Sequence, residues 1–127
     1  MAKIQLGSAP KTFAHTVKFP LVTGGEGEIR VQYTYRTRAQ FAEFIDSLYP
    51  EIKAPKTRTA RGVDVQEEAG RMLERDVRHI MGSVTSWDLD DTFDAANVKR
   101  LADEFPGAAA ALIEDYARAI NEGRTGN

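Results

Sequence analysis

Two histidines, a run of carboxylates and a cluster of glycines are the parts of this sequence whose types and spacing could do chemistry. The histidines, His15 and His79, are 64 positions apart, and with no cysteine in the chain a metal would need both plus carboxylates from distant segments. No HExxH pattern brings ligands to one helix face, and no GxSxG surrounds any serine. His15 stands on the apolar face of an alternating segment, which predicts a hydrogen-bonded core residue. His79 lies beside an apolar stripe and is expected as a solvated surface histidine. The carboxylates of Asp88-Leu89-Asp90-Asp91 invite a calcium loop with Asp88, Asp90 and Thr92 at positions one, three and five. That loop fails where Phe93 replaces the turning glycine and Lys99 the bidentate glutamate. The same carboxylates suit a helix N-terminus. The glycines between Gly24 and Gly27 lack the Lys-Ser/Thr of a phosphate loop and precede a strand pattern. The residues therefore propose no catalytic group, no metal ligand and no cofactor.

Charge narrows the partners. The net charge is −2, from 17 basic and 19 acidic side chains. It hides an asymmetry: residues 1–62 carry ten basic groups and five acids, +5, and residues 63–127 carry seven and fourteen, −7. Such a dipolar chain can associate with itself through its two halves, or the halves can face each other. Arg36, Arg38, Lys53, Lys56, Arg58 and Arg61 near Tyr33 and Tyr35 could meet a nucleic-acid single strand. The tyrosines are needed for packing, however, and the acidic half repels phosphate, so nucleic acid is not expected. The longest apolar run, Ala108 to Ile113, is six residues, far below a membrane span. With no leader-like segment in view, the chain is expected to work in solution where it is made.

These groups must be positioned by regular elements. Phe13, His15, Val17 and Phe19 alternate with polar or small residues, as do Ile29, Val31, Tyr33 and Tyr35, which predicts two strands. The three glycines before the second are expected to supply the positive φ of a hairpin loop. Thr37 caps a predicted helix bearing Phe41, Phe44, Ile45, Leu48 and Tyr49, ended by Pro50, and this helix is the expected cover for the hairpin's apolar face. Residues 51–63 read as a basic linker. Asp64 is expected to cap a long helix with the stripe Val65, Ala69, Met72, Leu73, Val77, Ile80 and Met81, stopping near Gly82. Asp94 caps a short helix with Val98, Leu101, Ala102 and Phe105, and Pro106 starts a last one with Ala109, Leu112, Ile113, Tyr116 and Ile120, to Gly123. The fold class is α+β: residues 1–50 a β-hairpin plus helix, 51–63 the linker, and 64–127 a three-helix segment, together one compact domain.

The stretch from Ser86 to Asn127 resembles the phage tail assembly chaperones of long-tailed bacteriophages and prophages. The shared order is Trp87, the acidic turn Asp88 to Asp91, Phe93, Leu101, Phe105-Pro106, Ala109, Tyr116, Arg124 and Asn127. Thr12 to Asp46 is similar in style to the opening of the same proteins. The resemblance implies a non-enzymatic binding protein of the host bacterial cytoplasm, absent from the mature virion. It would coat the helical tape measure protein and in some cases engage the tail tube protein. The other reading is a structural tail component, a tube or terminator subunit retained in the particle. A masking protein needs an apolar groove for helical anchors. Trp87, Phe93, Phe105 and Tyr116, with Leu89, Pro106, Ile113 and Ile120, are the candidate partner-binding residues, since aromatics dominate binding hot spots. The same aromatics could close the helical core instead, and their exposure separates the two.

Overall fold

Alternation along two segments produces the first pair of strands, β1 (Thr12–Pro20) and β2 (Glu26–Thr34), in a computed structural model that describes residues 6–7, 9–49 and 65–122. They pair antiparallel from Thr12 opposite Thr34 to Pro20 opposite Glu26, which puts Phe13, Val17, Ile29, Val31 and Tyr33 on one buried face. The connection is closed by Gly24 N donating to Leu21 O at 3.0 Å and Leu21 N donating to Gly25 O at 3.1 Å. Gly24 and Gly25 have φ of 94° and 79°, as a tight reversal requires. Gly27 serves otherwise: a Cβ there would lie 2.9 Å from the ring of Phe19, its cross-strand neighbour. Close packing, and not positive φ, requires the third glycine.

Thr37 caps α1 (Arg38–Leu48) as expected, and Gln40 returns its side-chain oxygen to the Thr37 N–H, a complete capping box worth about 1 kcal/mol. Val65–Ser83 forms α2, one residue past the expected stop at Gly82. Val77 and Ile80 are buried, but Ala69, Met72 and Met81 are exposed. Ser83 bonds back to the carbonyls of His79 and Ile80, and the chain passes straight into a strand absent from the sequence reading, β3 (Val84–Trp87). It adds antiparallel to β2, giving the order β1-β2-β3, with a bulge that absorbs Thr85. Four residues are too short to display a period of two, so β3 had no signal of its own. Pro50, the linker 51–63, the Asp64 cap, Gly123, Arg124 and Asn127 lie outside the described residues.

Asp94 caps α3 (Ala95–Glu104) by accepting from Asn97 N at 2.8 Å, and Pro106 opens α4 (Pro106–Glu122). The helix lying against the hairpin is α4, whose main sheet contact is with β1; α1 packs at the side on α2 and α4. The reason is steric as much as apolar: Ala108, Ala109 and Ala119 are buried and let α4 approach closely, whereas α1 carries Phe41 and Phe44 in partial burial. One apolar core joins residues from all three strands, α2, α3 and α4. The fold is α+β, with the third strand drawn from the later half of the chain.

Candidate partner-binding groove

The acidic turn after β3 is folded against the start of the sheet. Asp88 N donates to Arg30 O and Asp88 Oδ1 accepts from Arg30 N, both at 3.0 Å. Two residues thus end the ladder reciprocally. Trp87 Nε1 donates to Asp91 O at 2.7 Å, and Phe93 meets the indole edge-on with ring centres 5.1 Å apart. Asn97 Nδ2 donates to Thr92 O at 2.8 Å, which ties the turn to α3. Asp88 Oδ1 and Asp94 Oδ1 each accept from a backbone N–H, but only Asp94 caps a helix; Asp88, expected at a helix N-terminus, ends the ladder of β2 instead. Among the described residues no group of three or more His, Asp or Glu could hold a metal ion.

The pinned turn, the start of β2 and one side of α3 enclose a groove of about 300 Å³. Its apolar surface comes from Phe19, Leu21, Ile29, Trp87, Leu89 and Phe105, and its rim from Glu28, Asp91, Arg100 and Glu104. Gly27 lines it as well, and its missing side chain leaves Phe19 and Leu21 room to lie across the strand. Phe105 closes α3 and remains 40% exposed, an unusual position for a large aromatic without a partner.

The eight expected residues separate into three groups. Trp87, Leu89 and Phe105 line the groove, with Phe93 edge-on to Trp87. Pro106 is exposed and Ile113 half-buried, and neither lines it. Tyr116 and Ile120, 0% and 5% exposed, are interior. Phe19, Leu21 and Glu28 of the hairpin complete the groove and were not among the expected residues. Leu21 next to Val22 in a glycine-rich loop was the available signal, since a turn does not need two large aliphatics.

Interior polar groups account for much of the remaining chemistry. His15 Nδ1 and Tyr33 Oη both lie 2.9 Å from Asp115 Oδ2, which makes His15 the hydrogen-bonded core residue expected. Burial first, and the neighbouring Asp115 charge second, push the Tyr33 hydroxyl far above the usual phenol range. Arg36 Nη1 donates to Gly82 O at 2.8 Å and to Tyr116 Oη at 3.0 Å, so this guanidinium is spent inside the fold, as is Tyr33. Two of the nucleic-acid candidates are thereby structural. His79 is corrected: it is 2% exposed, not solvated, and lies between Phe44 and Tyr49. Burial, with a smaller contribution from the Arg36 charge, lowers its pKa to about 4. Its helix position lay on the border of the apolar stripe, and the docking of α1 turned that border inward. Among the described residues no helix is long and apolar enough to cross a membrane.

A family model described as phage tail assembly chaperone matches residues 1–127, the whole chain. No curated protein and no solved structure matches it.

Proposed function

The chain belongs to the phage tail assembly chaperone family, and from that premise we propose that it binds the tape measure protein in the host cytoplasm and masks its apolar helices until the tail is built. Membership of the family supports a role in tail assembly. The observation that carries the finer reading is the groove, an aromatic and aliphatic surface between sheet and α3 that ends in the exposed Phe105. A tape measure protein long enough to span a tail exposes a long succession of apolar helix faces. Many copies of a small domain, each covering one short stretch, would keep it soluble without catalysis. Recruitment of tail tube subunits would be a second task of the bound copies, and the chain would leave before the virion matures.

The test is co-expression with the tape measure open reading frame of the same phage. The tape measure product should stay in the soluble fraction with the native chain. It should precipitate with Phe105→Asp, with circular dichroism and thermal unfolding of the variant checking that the domain itself stays folded. Equal solubility with and without the chain would overturn the reading. So would recovery of the chain in purified particles at the stoichiometry of a ring.

A further inference from the structure

We propose that the groove takes an amphipathic helix whose apolar anchors are flanked by lysine or arginine. The proposal rests on the chaperone reading and specifies the chemistry of the segment that is masked. The groove's construction separates a helix from an extended strand. A strand could bind by continuing the ladder along β2, but the reciprocal Asp88–Arg30 pair closes that edge. By the alternation of an antiparallel ladder, only Glu28 and Glu26 remain beyond it to face an incoming strand, since β2 starts at Glu26. Two residues are too few for recognition by strand addition. Side-chain anchors entering between Leu21, Leu89, Trp87 and Phe105 can supply the contact instead, as they do when a helix lies in a groove.

The rim fixes the sign of the flanking charges. Glu28, Asp91 and Glu104 stand around the apolar surface with one cation, Arg100. Arg100 Nε is 3.7 Å from Glu104 Oε2, so that pair neutralises itself. Glu28 and Asp91 are exposed and form no ion pair among the described residues; Lys18 stands opposite Glu28 in the register without reaching it. Asp90, also exposed, adds to the same field. An apolar segment with glutamates beside its anchors would meet this rim at a cost, and one with lysines or arginines would gain. Elsewhere on the described surface the large exposed apolar side chains are Leu6, Val22, Met72 and Met81. Met72 and Met81 are two and a half turns apart and so stand on opposite sides of α2, and Leu6 and Val22 lie outside any helix, so the described residues of a second copy offer no row of large helical anchors.

Trp87 is the only tryptophan and lines the groove, so its fluorescence reads occupancy directly. The probes are two synthetic helical peptides without tryptophan, with the same leucines at i, i+3 and i+7, flanked by lysines in one and glutamates in the other. At ~50 mM salt the lysine peptide should bind about tenfold more tightly or better, and the preference should shrink at ~0.5 M as the rim is screened. In Glu28→Lys/Asp91→Lys, two exposed changes that keep the circular dichroism spectrum, the preference should reverse. Equal affinity for both peptides, or a preference indifferent to the double change, overturns the charge proposal while tape measure solubilisation stands. Failure of either peptide to bind, with solubilisation intact, overturns the groove as the site. Loss of solubilisation by the native chain removes the premise instead. Sedimentation that shows self-association blocked by Phe105→Asp would make a second copy the occupant and also overturns the proposal.

Discussion

The hydroxyl of Tyr116 donates to the carbonyl of Thr34 across 2.8 Å, linking the middle of α4 to the last residue of β2. It also accepts from Arg36, whose guanidinium reaches on to Gly82 at the end of α2. One side chain therefore joins the sheet, the last helix and the long helix. Its ring lies among those of Tyr33, Phe41 and Phe44. Tyr116→Phe keeps the packing but leaves Thr34 O and the Arg36 donor unmatched, and should lower stability by about 1–3 kcal/mol in denaturant unfolding. Tyr116→Ala adds a cavity and should cost about 3–5 kcal/mol, enough to unfold much of the population. A Tyr116→Ser protein that stays folded and loses only partner binding would contradict this placement.

His79 makes stability depend on mildly acidic pH. Its pKa falls from 6.5 to about 4 on folding, chiefly through burial. Between these values the unfolded chain binds the proton that the folded chain excludes, so this contribution is complete above about 6.5 and is lost as pH falls toward 4. A shift of that size corresponds to at most about 3.5 kcal/mol. Urea midpoints should decline across that window in the native chain and decline less in His79→Leu, with the carboxylates dominating both below it. An imidazole proton resonance of His79 that titrates near 6.5 in the folded state would refute the assignment.

Gly82 should resist a substitution that helix propensity favours. Alanine in place of glycine within a helix gains about 1 kcal/mol. Here a Cβ would stand 2.5 Å from the ring of Phe44. That ring cannot swing aside freely, since the Arg36 guanidinium lies 4.0 Å over it and His79 packs edge-on at 5.3 Å. Gly82→Ala should therefore destabilise by about 1–2 kcal/mol, in line with other overpacked sites. A double-mutant cycle with Phe44→Leu should recover part of the loss. Additive effects would show that the two do not meet.

Asp88 is a structural end-stop of the sheet, its carboxylate accepting from Arg30 N. Asp88→Ala removes the acceptor for Arg30 N and should cost about 1 kcal/mol. Millimolar calcium should leave the melting temperature of the native chain where it was. A calcium-dependent rise abolished by Asp88→Ala would reverse the assignment.

Local rules were legible wherever a local signal carried them. The strand alternations, the Thr37 and Asp94 caps and Pro106 at the head of α4 depend on residues a few positions apart, so their physics is written in short windows of sequence. The order of aromatics and acids from Trp87 to Tyr116 likewise pointed to the tail chaperone family, which the whole chain matches. Three features had no such signal. β3 is too short to show a period, and exists because β2 offers it an edge. His79 became interior because α1 docks over it, a contact across 35 positions from Phe44. The groove unites a hairpin loop with a turn and a helix end about 60 positions or more further along the chain, so Trp87 and Phe105 could be suspected from the sequence and Leu21 from its place in a glycine-rich loop, but nothing local set Glu28 beside them. Sequence alone determined the hairpin, the four helices and the family they make; tertiary packing added the third strand and decided which aromatics were spent inside and which were left for a partner, because edge pairing and burial are properties of the assembled surface.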